Sequence, residues 1–166
     1  MACKICQEKP VWKFTNQTQL CEKCFTDYFE KKVKRTIGRY HLPIGKISSS
    51  GLKARVVNRI IQDLPERKGK IGLESLNDIS DAILYEMMYG KKDKLKTLLP
   101  NNKPLYFLSD REIEIYAKIK GIKGKLESRE SKNKKLKQID DFLKIIERKN
   151  PDIRHNVVKA LLNYHL

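Results

Sequence analysis

The 166-residue chain is long enough for one ordinary domain, and its charge is strongly unbalanced. It carries 36 Lys and Arg residues against 20 Asp and Glu residues, a formal net charge of +16. It contains no run of roughly 18 apolar residues, which excludes a transmembrane helix, and its N-terminus lacks a basic-then-apolar signal pattern. Apolar residues recur at helical spacing along most of the chain, which excludes a disordered protein. We therefore expect a cytoplasmic, helix-rich protein with no membrane partner.

The positive charge is concentrated in two blocks that flank an acidic segment. Residues 31–70 contain 12 Lys and Arg residues and 2 acidic residues, and residues 118–137 contain 9 and 2. Residues 71–90 contain 4 acidic residues and no Lys or Arg. Crowded like charges repel one another in a compact chain, and an anionic partner offsets that cost. The charge therefore favours binding to RNA or DNA over the alternative, a lysine-rich composition that serves solubility or thermal stability.

All four cysteines lie near the N-terminus, in two pairs with the spacing of a zinc finger. Cys3 and Cys6 form the first C-x-x-C pair, and Cys21 and Cys24 form the second. The turn within each pair lets two thiolates point at one ion, and four thiolates complete a tetrahedral shell for zinc. Because a closed shell has no position for a substrate, we expect one structural Zn²⁺ and no catalysis by this metal.

Two other interpretations of the cysteines are less favourable. Disulfides are rare in chains without a secretion signal, and a redox C-x-x-C motif normally accompanies a β-α-β pattern. The segment between the pairs has room for a hairpin with strands at residues 10–14 and 19–20 and a turn at residues 15–18. Trp12 and Phe14 on this hairpin either stack on a nucleotide base or pack between the hairpin and the first helix.

Helical patterns dominate the rest of the chain and predict a mainly α fold, in which a four-cysteine zinc knuckle with a short β-hairpin precedes a helical domain. Apolar residues recur at steps of three and four. Ser109 and Glu112 form a capping box at the start of one helix, and Gly121 ends it. Residues 44–47 and 103–107 are candidate strands. The predicted helices span residues 24–40, 52–64, 76–89, 109–120, 132–149 and 153–162.

Basic residues of the first two predicted helices form the candidate RNA-binding surface. They lie opposite the apolar stripe of each helix, and the short connection between the helices allows both basic sides to share one surface. Such a surface contacts phosphates rather than base edges, so we expect recognition of RNA shape. Lys132, Lys134 and Lys135 are expected to contribute less. The candidate residues are Lys31, Lys32, Lys34, Arg35, Arg39, Lys53, Arg55 and Arg59.

Several segments carry the motifs of a known enzyme family, in the family's order. They are the cysteine pairs with the helix that follows, LNDISDAILYEMMYG at residues 76–90, KPL at residues 103–105, SDREIEIYA at residues 109–117, and residues 142–151. The first four resemble the N-terminal zinc finger, the GHNLDDEAxTxLMNLLRG helix, the KPL strand and the EKEIxxYA helix of the TtuA-type tRNA 2-thiolation enzymes. Those enzymes belong to the PP-loop, or N-type ATP pyrophosphatase, superfamily.

The chain departs from that family at the catalytic elements. The family's SGGKDS loop cradles the pyrophosphate of ATP through its backbone amides, and only one glycine and one lysine of it remain here. Most of the parallel sheet, the catalytic cysteines (one expected near residues 127–130) and the C-terminal zinc finger have no counterpart. The residues at the place of the loop form either a vestigial nucleotide loop or a plain helix cap. They are Ser48, Ser49, Ser50, Gly51 and Lys53.

The family's paired aspartates are Asn77 and Asp78 in this chain. With Asp81, we interpret them as charge that favours a helix N-terminus, in preference to a residual metal or phosphate site. The resemblance thus implies a reduced, degenerate relative that keeps the RNA-docking parts of the family.

The expected organisation is a four-cysteine zinc finger at residues 1–25 and a basic helical domain at residues 26–166. Within the latter, residues 41–122 are a degenerate PP-loop remnant and residues 131–166 are C-terminal helices. The favoured function is non-catalytic, zinc-containing binding of tRNA or ribosomal RNA, with no catalytic residue. One alternative is a subunit or accessory factor of a tRNA 2-thiolation enzyme, with a full-length relative or the ribosome as partner. The other is a protein-interaction or regulatory module.

Overall fold

The structure is a computed structural model that describes residues 2–90, 92–126 and 134–165. An antiparallel hairpin comes first, with β1 at Trp12–Lys13 and β2 at Gln19–Leu20. This hairpin is the only sheet among the described residues, so the expected mainly α fold is confirmed. None of the described helices is long and apolar enough to cross a membrane. The helices are α1 (Glu22–Arg39), α2 (Leu52–Ile61), α3 (Leu76–Tyr89), a 3-10 helix (Lys92–Leu98), α4 (Asp110–Ile119), α5 (Lys134–Glu147) and α6 (Ile153–His165).

The predicted helices are all present, with boundaries that differ by at most a few residues. Residues 132–133, the predicted start of α5, lie outside the described part of the chain. Both candidate strands are wrong: Ile44 makes only an isolated bridge to Arg67, and most of residues 103–107 form turns. The buried ammonium of Lys103 donates hydrogen bonds to the carbonyl oxygens of Thr97 (3.1 Å) and Leu99 (2.9 Å). These bonds tie the segment to the end of the 3-10 helix, which the apolar pattern did not predict.

Two apolar cores hold the helices together. The first joins the hairpin to α1, α2 and α4, and its centre includes Phe29 and Tyr116, whose rings stack at 4.3 Å with an interplanar angle of 12°. The second lies between α3 and α6, where Ile79 and Ile83 pack with Val158. Because the buried cysteines belong to the first core, the hairpin and the helical region share apolar contacts. The proposed domain boundary at residue 25 stays a prediction.

Capping boxes start α3 and α4. The Ser109 side chain accepts a hydrogen bond from the backbone N–H of Glu112, whose carboxylate accepts one from the backbone N–H of Ser109 at 2.7 Å. Ser75 and Asp78 make the same reciprocal pair at the start of α3. The first of these boxes confirms the prediction for residues 109–112. Gly121 has a φ of +65°, the left-handed conformation that glycine adopts without strain, and lies just after α4.

A buried arginine joins the three helices α3, α5 and α6. The Arg154 side chain from α6 is 1% exposed and donates hydrogen bonds to the carboxylates of Asp81 on α3 and of Asp140 (2.6 Å) and Glu147 (3.1 Å) on α5. It also donates to the hydroxyl of Ser80 at 2.9 Å. A planar guanidinium with five donors suits this arrangement, because each of the three carboxylates meets a different nitrogen of the fork.

Replacing Arg154 should destabilise this helix triad strongly. In Arg154→Met, the buried carboxylates of Asp81 and Asp140 lose the guanidinium, while Lys144 remains 2.7 Å from Asp140. Removing one partner of a buried ion pair costs about 3–5 kcal/mol. We expect the urea midpoint, followed by circular dichroism, to fall accordingly. The control is Lys159→Met, an exposed position on the same helix, with an expected change below about 0.5 kcal/mol. Equal stabilities for the two variants would contradict the assigned role of the guanidinium.

Candidate metal centre and basic surface

The four cysteines form one compact cluster. The Sγ atoms of Cys3, Cys6, Cys21 and Cys24 all lie within 4.8 Å of one another, and none is in a disulfide. The Sγ of Cys6 lies 3.3 Å from that of Cys21 and 3.6 Å from that of Cys24. A tetrahedral ion with metal–sulfur bonds of about 2.3 Å separates its ligands by roughly 3.8 Å. The cluster therefore has the donors and the size to hold a single metal ion.

The local backbone places these sulfurs. Cys3 donates its backbone N–H to the carbonyl of Glu8 at 2.9 Å and accepts one from Gln7 at 3.1 Å, which closes the first turn. Gln7 takes a φ of +67° to complete this turn. Cys21 is the N-cap of α1, and Cys24 lies in its first turn. A helix N-terminus carries partial positive charge, which favours thiolates at these two positions.

The thiols of the cluster differ in acidity. Burial opposes ionisation of Cys3, but hydrogen bonds from backbone N–H groups outweigh it and lower the pKa of this thiol to about 6. Burial and hydrogen bonds with the other sulfurs raise the pKa of Cys24 to about 12. Four sulfurs this close cannot all ionise without a cation between them, because thiolates repel. The donor set thus fits a metal ion that binds thiolates.

Trp12 and Phe14 are packed against α1. The ring centroid of Trp12 lies 5.7 Å from that of Phe25, and the centroid of Phe14 lies 4.9 Å from that of Tyr28. The guanidinium of Arg111 lies over the Trp12 ring at 5.3 Å. Of the two interpretations of these aromatic residues, the structure supports packing between the hairpin and the first helix.

The eight candidate RNA-binding residues divide into two groups. Six of them have exposed side chains, on the outer sides of α1 and α2: Lys31, Lys34, Arg35, Arg39, Arg55 and Arg59. Lys32 and Lys53 are instead half-buried and held by carboxylates. Lys32 donates a hydrogen bond to the hydroxyl of Tyr28 at 2.7 Å and lies 3.6 Å from the carboxylate of Glu112. Burial lowers the pKa of Lys32, and Glu112 opposes that shift.

The structure describes only part of the less favoured basic group, which is Lys132, Lys134 and Lys135. Lys132 lies outside the described residues, while Lys134 and Lys135 are exposed at the start of α5. The ammonium of Lys135 lies 4.2 Å from the centroid of the Tyr89 ring. Residues 127–130, where the family resemblance placed a cysteine, also lie outside the described part.

Next to the serine-rich loop, the start of α2 lines a cavity of about 440 Å³. Gly51, Leu52 and Lys53, at the start of α2, line it together with residues 70–74 and the N-terminal turns of α3. Gly51 is the N-cap of α2, and no side chain caps the helix. Leu52 is 3% exposed and belongs to the first core. Of the candidate loop residues, Gly51 and Lys53 thus border the cavity, and Leu52 between them is anchored in the core.

The Lys53 ammonium is held by the starts of two other helices. It forms an ion pair with Asp78 on α3, lies 3.2 Å from the carboxylate of Asp110 on α4, and donates to the hydroxyl of Ser75 at 3.1 Å. Ser75 in turn donates to Asp110 at 2.5 Å. We call this group the Lys53 network. The motifs identified Asp78 as charge at a helix N-terminus but did not pair it with Lys53, because Ser75, Asp78 and Asp110 are all distant from Lys53 in sequence.

Asn77 and Asp81 have structural partners as well. The side-chain oxygen of Asn77 accepts the backbone N–H of Asp110 at 3.0 Å, so it caps α4 from the start of α3. Asp81 is 2% exposed and pairs with Arg154. The contact of Asn77 supports a role at a helix start. Asp81, in the second turn of α3, is a buried ion-pair partner and not the helix-terminal charge expected from the sequence.

Comparison with known proteins adds information about the fold. No protein-family model and no curated protein matches the chain. Among solved structures, the chain is similar to the U34-tRNA thiolase NcsA from Methanococcus maripaludis, solved with its 4Fe–4S cluster, at a TM-score of 0.76 and 15% sequence identity. The match covers 99% of this chain and 87% of that one. At this identity the likeness concerns the fold alone, and the chain shares the fold of a tRNA thiolase.

Proposed function

We propose that the protein is a non-catalytic, zinc-containing RNA-binding protein, with tRNA or ribosomal RNA as its target, that arose by reduction of a tRNA 2-thiolation enzyme. The observation that carries this proposal is the outer surface of α1 and α2. It presents six exposed Lys and Arg side chains, and the sequence from Lys31 to Gln62 contains no Asp or Glu. The positive charges on so basic a surface repel one another, and contacts with phosphates lower this repulsion.

The chemistry of the surface favours phosphates over bases. Lysine and arginine side chains on the outer side of a helix reach the backbone of a nucleic acid, which carries no sequence information of its own. Stacking on a base requires an accessible aromatic ring. Trp12 and Phe14 pack on α1 instead. The likeness of the fold to a tRNA thiolase supports RNA over DNA as the partner.

The Lys53 network and the cysteine cluster support the proposal that the chain is non-catalytic. A phosphate-binding loop needs an available ammonium and close backbone approach. Here two carboxylates neutralise Lys53, and Leu52 anchors the loop in the core. All four cysteines of the chain are in one cluster, so none is left to carry sulfur.

Zinc is the proposed metal. A set of four cysteines holds either one zinc ion or an iron–sulfur cluster. A cluster of several irons separates its thiolates more widely than a single ion does. The Sγ separations of 3.3 and 3.6 Å are close to the roughly 3.8 Å that one tetrahedral ion requires.

A thiolation subunit or accessory factor is the second candidate. The fold likeness extends over 99% of the chain, and the start of α2 borders a cavity. In this alternative a partner chain completes the nucleotide site.

The metal prediction is one Zn²⁺ per chain, with zinc–sulfur distances of about 2.3 Å by X-ray absorption. Cys21→Ser should lower the metal content and loosen residues 1–30, because a small hairpin depends on metal binding for its folding energy. Fluorescence of Trp12, the single tryptophan, reports this change, while helical circular dichroism is retained. Lys23→Ser, an exposed position between two ligands, is the control. Iron and sulfide in place of zinc would overturn the assignment.

The RNA prediction concerns the outer side of α1. The triple variant Lys34→Glu, Arg35→Glu, Arg39→Glu should weaken binding to total tRNA at least tenfold at about 100 mM salt, since each phosphate contact contributes to the salt-dependent affinity. Electrophoretic mobility shift titrations measure this. The matched control reverses Lys96, Lys149 and Lys159, which are exposed outside α1 and α2. Equal losses in both variants would show that net charge, not this surface, determines binding.

The nucleotide prediction is that calorimetry detects no binding of Mg–ATP at about 1 mM, because the ammonium of Lys53 is already neutralised. The chain alone should also hydrolyse no ATP. Micromolar ATP binding that disappears in Lys53→Ala or Ser49→Ala would show an active loop. That result would favour the second candidate function.

A further inference from the structure

The second basic block of the sequence reaches the first one in the folded protein. The guanidinium of Arg55 on α2 donates a hydrogen bond of 2.8 Å to the carbonyl oxygen of Lys123, in the segment after α4. At the neighbouring Gly124, an added Cβ would lie 3.4 Å from the side chain of Leu52, the first residue of α2. The segment of residues 121–126 therefore lies directly against the first turns of α2.

A second contact joins α4 to α1 at the same end of the first core. The ammonium of Lys120 lies 3.4 Å from the carboxylate of Glu30, which also accepts a hydrogen bond of 2.8 Å from the hydroxyl of Tyr116. Burial and Glu30 raise the pKa of Tyr116, and the positive charge of Arg59 acts in the opposite direction. Arg59 is exposed on α2, one helical turn after Arg55. Lys34 lies one helical turn after Glu30 on α1.

Glycines hold the segment in position. Gly121 and Gly124 have φ values of +65° and +147°, conformations that other residues rarely adopt. Lys123 and Lys125 flank Gly124, and both are exposed. The backbone therefore presents two lysines beside α2 without burying either side chain.

We propose that Arg55, Arg59, Lys123 and Lys125 form one surface, the α2–α4 basic surface, that binds the phosphates of double-stranded RNA. This inference rests on the proposed RNA-binding function and extends its site beyond α1. The partner is a paired, A-form region, because shape and phosphate contacts dominate recognition of duplex RNA.

Among the described residues, the distribution of aromatic side chains favours a duplex over a single-stranded target for this surface. Proteins that bind single strands stack bases on accessible aromatic rings. The strongly exposed aromatic side chains of the described residues are Tyr89, Phe142 and Tyr164, on α3, α5 and α6. None of these helices contributes to the α2–α4 basic surface. Tyr116, which lies beside it, is fully buried.

The test uses the full chain and three probes of one sequence: an RNA duplex of about 16 base pairs, one of its single strands, and the matching DNA duplex. We expect the wild-type protein to bind the RNA duplex most tightly. Lys123→Glu with Lys125→Glu should weaken duplex RNA binding about tenfold. It should also reduce the slope of log affinity against log salt by about 1 to 2. Circular dichroism confirms that both proteins are folded.

The control variant, Lys96→Glu with Lys159→Glu, makes the same change in charge away from this surface and should change affinity less than about twofold. RNA binding that is lost in the α1 triple variant but unchanged in the Lys123 and Lys125 variant would overturn this inference and leave the proposed function intact. Tighter binding of the single strand would overturn the duplex assignment. A wild-type protein that binds none of the three probes, nor tRNA, would overturn the proposed function itself.

Discussion

The ion pairs of Lys53 with Asp78 and Asp110 connect the two apolar cores of this structure. Lys53 is on α2 in the first core, Asp78 starts α3 in the second, and Asp110 starts α4. Both carboxylates lie in first helical turns, where the helix dipole favours negative charge. The same ammonium therefore joins three helices beside the cavity that Lys53 lines.

Arg154 has a comparable role beside the second core, where it also joins three helices. It comes from α6 and meets carboxylates of α3 and α5, just as Lys53 comes from α2 and meets those of α3 and α4. Two acidic residues of α3 are thus paired with cations of other helices: Asp78 with Lys53, and Asp81 with Arg154. As a result, the net positive charge of the chain remains on side chains outside these contacts, among them those of α1 and of the segment after α4.

The cysteine hairpin packs on the start of α1. Its two strands have two residues each, too few to be stable alone, and its stability depends on the sulfur cluster and on Trp12 and Phe14 packing against α1. A metal ion in the cluster would fix the start of α1, because Cys21 and Cys24 lie at that helix terminus. The direction of α1, and with it the position of its basic side chains, follows from that anchor.

The sequence alone determined the features that depend on near neighbours. The two C-x-x-C pairs identified the cysteine cluster, the apolar periodicity located the helices, and Ser109 with Glu112 marked the start of α4. The tertiary structure decided which charges meet. Lys32 and Lys53 share helix faces with exposed basic residues, yet Glu112 and Asp78 hold them. Helical periodicity predicts the face of the helix on which a side chain lies. The partners of Lys32 and Lys53 are 80 and 25 positions away in sequence, and only packing of the helices brings each pair together.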